Sequence, residues 1–131
     1  MATTATLVAM PALAAGGLST HVLDTTVGKP GAGVKVEVYS LDGGRKLLKR
    51  LETDADGRIR EVLSAKEMKP GRYELVFDIG AYYRAMPGAA TASRVPFLDQ
   101  VPVRFGVERA DEHYHVPLLV TPFSYSTYRG S

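Results

Sequence analysis

The chain has 131 residues, a formal net charge of +2 and no cysteine. That length suits one domain around one core. The charge is too small and too scattered to argue for nucleic acid, and the missing cysteines exclude disulfides and thiolate chemistry. No apolar run approaches the roughly 20 residues of a membrane span, and three histidines without cysteine would need carboxylate help to hold a metal.

Residues 1–17 carry no charged side chain and are rich in alanine and threonine. They contain a short apolar run with an A-x-A-like end but lack the basic region that opens a secretory signal. Three readings stay open: a disordered extension, a degenerate signal peptide, or an upstream start. The fold is expected over residues 18–131. The expected compartment is the cytoplasm, or the periplasm if residues 1–17 act as a signal.

Residues 19–24 mix β-branched and apolar side chains and predict a short strand. Residues 25–33 are turn chemistry, with Gly28, Pro30, Gly31 and Gly33. Val34, Val36 and Val38 then alternate with polar residues, the period of a half-buried strand. Asp42, Gly43 and Gly44 signal a hairpin, and residues 45–53 pair back. Leu47 and Leu51 share a face there, while Leu48 breaks the alternation. Asp54, Asp56 and Gly57 form another turn. Their spacing resembles the start of an EF-hand loop, but the helical flanks and closing Glu are missing, so no calcium site is expected.

Residues 58–63 predict a short edge strand. Ser64 and Glu67 have capping-box spacing for one helical turn, which Pro70 and Gly71 end. Residues 72–79 predict a strand with Tyr73, Leu75, Phe77 and Ile79 on one face. A short helix over 80–86 stops at Pro87 and Gly88, and a surface loop covers 89–100. Residues 101–107 alternate again, with Pro102 marking an edge or a strand start. A polar turn over 108–112 leads to the closing strand, which begins at His113. Seven to eight short strands, one short helix and no βαβ rhythm predict an all-β, two-sheet β-sandwich. Its exposed edges must be blunted or paired, so edge-to-edge oligomerisation is expected.

Acid–base chemistry near neutral pH falls to His21, His113 and His115. His113 and His115 are two apart and share a strand face, with Val116 and Leu118 on the other. Chain ends often become neighbours in a sandwich, which would bring His21 to them. Periodicity alone leaves open whether these are a site or surface histidines. Arg58, at the end of a turn, offers a guanidinium to a planar anion or to solvent. Tyr125, Tyr128, Arg129 and Ser131 add donors at the tail. No G-x-S-x-G elbow, H-E-x-x-H helix or phosphate-cradling glycine loop is present.

Three segments carry a resemblance: Ser19-Thr-His-Val-Leu-Asp24 with Gly28-Lys-Pro30, Thr53-Asp-Ala-Asp-Gly-Arg58, and His113-Tyr-His-Val-Pro-Leu-Leu119 through Tyr128-Arg-Gly-Ser131. Together they resemble the 5-hydroxyisourate hydrolases, the enzyme branch of the transthyretin family, over residues 18–131. The Tyr-Arg-Gly-Ser segment separates that branch from the hormone carriers. The resemblance implies a transthyretin-like sandwich assembling as a homotetramer, a dimer of dimers, with active sites in the channel between dimers. It implies hydrolysis of 5-hydroxyisourate to 2-oxo-4-hydroxy-4-carboxy-5-ureidoimidazoline without metal or organic cofactor. It also implies catalytic roles for His21, Arg58, His115 and Ser131, and substrate contacts from His21, Arg58 and Tyr128. Residues 81–100 match no motif. The alternatives are a hormone carrier, against which the histidines and the Tyr-Arg-Gly-Ser segment speak, and a non-catalytic transthyretin-like binding or structural module. The module explains the first half of the chain but not the chemistry of its tail.

Overall fold

A computed structural model describes residues 16–87 and 95–131. The readings for residues 1–15, for Gly88 and for residues 89–94 of the 89–100 loop lie outside the described residues. The strands are β1 (Leu18–Asp24), β2 (Lys29–Pro30), β3 (Lys35–Ser40), β4 (Lys46–Glu52), β5 (Arg58–Leu63) and β6 (Gly71–Asp78). The helix α1 (Ile79–Arg84) follows, then β7 (Gln100–Val107), β8 (Tyr114–Val120) and β9 (Tyr125–Thr127). One sheet runs β2-β1-β8-β9 with β5 also on β1; the other runs β4-β3-β6-β7.

The two-sheet sandwich stands, and the strand count rises to nine among the described residues because of two short additions. β2, inside the turn-rich stretch, pairs Lys29 and Pro30 with Asp24 and Leu23. β9 folds the tail back on β8. Ile79 opens the helix rather than closing β6, because the Asp78 carboxylate caps the Ala81 N–H at 3.3 Å. The irregularity at Leu48 is a bulge: Val38 pairs with Lys49 but Tyr39 with Leu47, leaving Leu48 over. β5 and β7 lie at edges, as their sequences predict. The Ser64 capping box forms, with Ser64 N–H to Glu67 Oε1 at 2.9 Å and Glu67 N–H to Ser64 Oγ at 3.2 Å.

The core lies between the sheets. Val22, Ile59, Val116 and Leu118 from one meet Val36, Val38, Leu75, Phe77 and Val101 from the other, all buried. This is period two converted into burial: each inward residue removes apolar surface from water at roughly 25 cal/mol per Å². β6 is buried on both faces. On its outer face Glu74, 2% exposed, accepts from Arg45 Nε at 2.9 Å and Arg104 Nε at 2.7 Å. Burial raises the Glu74 pKa, but the Arg104 and Arg45 bonds outweigh it and the carboxyl titrates below its ordinary value.

The first and last long strands set the site. β1 pairs in parallel with β8, placing Ser19 opposite His115 and His21 opposite Pro117. On its other side β1 pairs with β5, placing His21 opposite Arg58. Three segments distant in sequence therefore become three adjacent strands. Behind them, the carboxylate of fully buried Asp24 accepts hydrogen bonds from the Tyr82 hydroxyl at 3.0 Å and the Tyr83 hydroxyl at 2.9 Å, tying α1 to the end of β1.

Candidate active site

Leu18, Thr20 and Val22 turn inward, so Ser19 and His21 project from the opposite face of the five-stranded sheet. On β8, Tyr114, Val116 and Leu118 enter the core and leave His115 on that same outer face. Arg58 and Arg60 project from β5. A pocket of about 300 Å³ is lined by Ser19, Thr20, Arg58, Arg60, His115 and Ser131. At its rim the His21 and His115 rings lie near parallel, 18° between planes, with centroids 6.2 Å apart.

Arg58 is positioned by its turn. Gly57, at φ +72°, adopts a conformation that side-chain-bearing residues rarely hold. A Cβ there would stand 2.6 Å from the Val22 carbonyl oxygen. The Gly57 carbonyl accepts the Val22 N–H at 2.8 Å, while Asp54 Oδ1 accepts the Arg58 N–H at 3.0 Å. Arg60 is engaged by Asp54 at 2.7 Å and Asp56 at 3.6 Å, whereas Arg58 forms no ion pair among the described residues.

The tail reaches the pocket through a hairpin. Thr121 closes the turn with Ser124, β9 pairs with β8, and the same register continues to a bridge between Gly130 and His115. The Gly130 N–H donates to the His115 carbonyl at 2.7 Å. A Cβ at 130 would sit 2.6 Å from His115 Cδ2, so only glycine lets the tail lie against the ring.

Both histidines are half-buried and titrate below the ordinary imidazole value. For His21 the larger cause is loss of solvent, then the Arg58 charge. For His115 it is loss of solvent, then His21, Arg58 and His113. Each cause disfavours the imidazolium, so the pocket keeps neutral imidazoles, able to accept a proton, beside a permanent cation.

Of the residues singled out in sequence, His115, Arg58 and Ser131 line the pocket and His21 stacks at its rim. Tyr128 is 59% exposed and does not line the pocket within one chain. Arg129 turns away to stack on Tyr114 at 4.0 Å. Sequence reasoning missed Ser19, whose hydroxyl lies 2.8 Å from His113 Nε2 and 2.7 Å from His115 Nδ1. Its signal was available: Ser19 is two residues before His21 and hence on the same face. A larger groove of about 540 Å³ includes Lys35, Glu37, Arg50 and Glu52 on the other sheet. Arg50 pairs there with Glu37 at 2.9 Å, and no histidine lines it.

Fold and pocket define a transthyretin-like sandwich with a histidine–arginine centre on its five-stranded sheet. The chain belongs to the HIUase/Transthyretin family, whose model matches residues 18–130. It is 50% identical over 118 residues to a 5-hydroxyisourate hydrolase of Pseudomonas aeruginosa, covering 88% of this chain and 92% of that protein. Among solved structures it resembles Klebsiella pneumoniae 5-hydroxyisourate hydrolase, with a TM-score of 0.71, 35% identity and coverage of 90% and 95%. It also resembles sea bream transthyretin solved with thyroxine, with a TM-score of 0.74, 29% identity and coverage of 87% and 94%.

Proposed function

We propose that this protein hydrolyses 5-hydroxyisourate to 2-oxo-4-hydroxy-4-carboxy-5-ureidoimidazoline, a step of urate degradation. The observation that carries the reading is one pocket lined by His115, Arg58 and Ser131 with the His21 ring stacked 6.2 Å from His115, in a chain half identical to an enzyme of that name. The non-catalytic module gives no account of that arrangement.

The product carries a carboxyl and a ureido group, so the reaction opens a ring C–N bond with water. A water held between the His21 and His115 rings loses a proton to an imidazole, and its oxygen attacks the ring carbonyl carbon. Arg58 neutralises the charge that develops on the carbonyl oxygen. The C–N bond then breaks, the nitrogen takes up the proton from the imidazolium, and the new carboxyl group ionises. Ser131 completes the hydrogen-bond network around the water, and Tyr128 contacts the ring. No metal or organic cofactor has a role in this scheme.

Homotetramer formation, as a dimer of dimers, belongs to the same reading. It is supported by the edges of β4, β7 and β9, which have no further strand partner among the described residues, and by an exposed Phe97–Phe123 pair with centroids 6.2 Å apart. Among the described residues no helix is long and apolar enough to cross a membrane. N-terminal sequencing of the mature protein separates a cytoplasmic enzyme from one exported after cleavage within the segment ahead of Gly16.

The test generates 5-hydroxyisourate with urate oxidase and follows its ultraviolet absorbance. The protein should accelerate the decay well beyond the spontaneous rate. His21→Asn and His115→Asn should each lower kcat/KM by about 100-fold or more. Decay at the spontaneous rate removes the enzyme reading; near-normal turnover in both variants removes the histidine mechanism.

A further inference from the structure

Resting on the hydrolase reading above, we infer that Ser19 and His113 are positioning residues that fix the tautomer of His115 and make its Nε2 the proton acceptor. Three hydrogen bonds in series carry the inference. His113 Nδ1 lies 3.1 Å from the Gly16 carbonyl oxygen. A carbonyl oxygen only accepts, so Nδ1 carries the proton. Above the ordinary imidazole pKa, where a histidine is neutral, this leaves the lone pair on Nε2, which is 2.8 Å from Ser19 Oγ. The single Ser19 hydroxyl proton is therefore donated to His113. Ser19 Oγ is left only with lone pairs toward His115 Nδ1, 2.7 Å away, and must accept a proton from it. His115 is thereby the Nδ1–H tautomer, and its Nε2 keeps the lone pair.

The geometry agrees with a proton acceptor at Nε2. His115 Nε2 has no hydrogen-bond partner among the described residues, and the ring lines the pocket beside Arg58 and Ser131. Gly130 packs on Cδ2, the carbon next to Nε2, which brings the tail to that edge of the ring. When His115 takes a proton from water, Nδ1–H stays bonded to Ser19. The aligned dipoles of Ser19 and His113 then face the new charge with their negative ends. His21 has no such chain: no side-chain hydrogen bond among the described residues fixes its tautomer. The division of labour follows: His115 accepts the proton, and His21 holds the water on the opposite side.

The register explains why these two residues serve. Ser19 is paired with His115 across β1 and β8, so its side chain stands beside the His115 ring. His113, two residues before His115, projects from the same face and reaches Ser19 from the other side. Ser19 is only 8% exposed, which keeps water from competing for its bonds.

Two-bond ¹⁵N–¹H correlation spectra of ¹⁵N-histidine-labelled protein, without substrate at about pH 8 where ordinary histidines are neutral, report which ring nitrogen holds each proton. Wild-type His115 and His113 should both be Nδ1–H. A His115 that is mainly Nε2–H overturns the inference, and this measurement needs no variant. Ser19→Ala and His113→Phe should each shift His115 toward Nε2–H. Each should also lower kcat by roughly 10- to 100-fold, as loss of a histidine's outer partner does in metal sites, with KM within about twofold. Ser19→Thr, which keeps the hydroxyl, should restore both readouts. Unchanged tautomer or unchanged kcat in Ser19→Ala counts against the relay. Nδ1–H at His115 in a protein that fails to hydrolyse 5-hydroxyisourate would leave the relay standing and sink the hydrolase reading; hydrolysis with Nε2–H at His115 would do the reverse.

Discussion

Gly130 shows how a residue with no side chain can control a reactive one. Its Cα lies so close to the His115 ring that a methyl group would approach Cδ2 to 2.6 Å. The backbone bond from Gly130 N–H to the His115 carbonyl keeps the tail from moving away. In Gly130→Ala the ring is the softer partner and must turn, pulling Nδ1 from Ser19. Since a shift near 1 Å can cost about 100-fold in rate, kcat/KM should fall at least tenfold. Unfolding free energy should stay within about 0.5 kcal/mol of wild type, because the contact lies outside the core. Equal activity, measured beside a urea midpoint, would show that the tail does not press on the ring.

At the scale of elements, β1 is the axis. It receives β5 on one side and β8 on the other, so His21, Arg58 and His115 need only point the same way to meet. The turn before β5 is the sensitive joint. Gly57 sits at φ +72° under the Val22 carbonyl, which also accepts the Gly31 N–H at 2.8 Å. Gly57→Ala combines backbone strain with a steric clash and should destabilise the fold by about 1–3 kcal/mol. It should also lower kcat/KM, since Arg58 is the next residue. Urea denaturation reads the first effect and the absorbance assay the second; an unchanged midpoint would mean that the turn relaxes freely. The short helical turn at Ser64 behaves as a closed unit by contrast. Glu67, held by Lys49 at 2.7 Å and by its capping box, titrates down to about 2.

Across the whole molecule, partial burial of the two imidazoles links activity to stability. Both titrate below 6.5, so the folded chain binds fewer protons than the unfolded one just under that pH. Stability therefore rises with pH through this window. The contribution of neutral His21 and His115 is fully present above 6.5 and is lost as pH falls from there through the folded values. The acid limb of kcat/KM, which reports the free enzyme, should likewise have its midpoint below 6.5. Arg58→Gln should move that limb upward, because a cation that opposes protonation of both rings is gone. A limb at or above 6.5 in wild type would show that solvent and Arg58 do not tune the rings as described. The sandwich itself supplies the rigid platform: buried Val22 and Leu118 lie behind the outward-facing site residues of β1 and β8.

Local chemistry sufficed for much of this protein. Alternation at Val34, Val36 and Val38 and the turn signals around Gly43 and Gly57 determine strands and their ends, because period two and positive φ are properties of neighbouring residues. The capping box at Ser64 was legible for the same reason, and the three motifs carried the family. Other features depended on which strands become neighbours. The parallel pairing of β1 with β8 joins residues nearly a hundred positions apart, and no periodicity encodes that choice. It alone makes Ser19 a partner of His113 and His115, whereas the sequence shows only a serine two places before a histidine. Glu74 stands on the outer face of β6, and Arg104 of β7 and Arg45, just before β4, close over it only in the assembled sheet. The sequence by itself determined the elements and the chemical groups. The tertiary structure decided their adjacency, and with it the proton order along Gly16, His113, Ser19 and His115, because a hydrogen bond has direction only when both of its ends are in place.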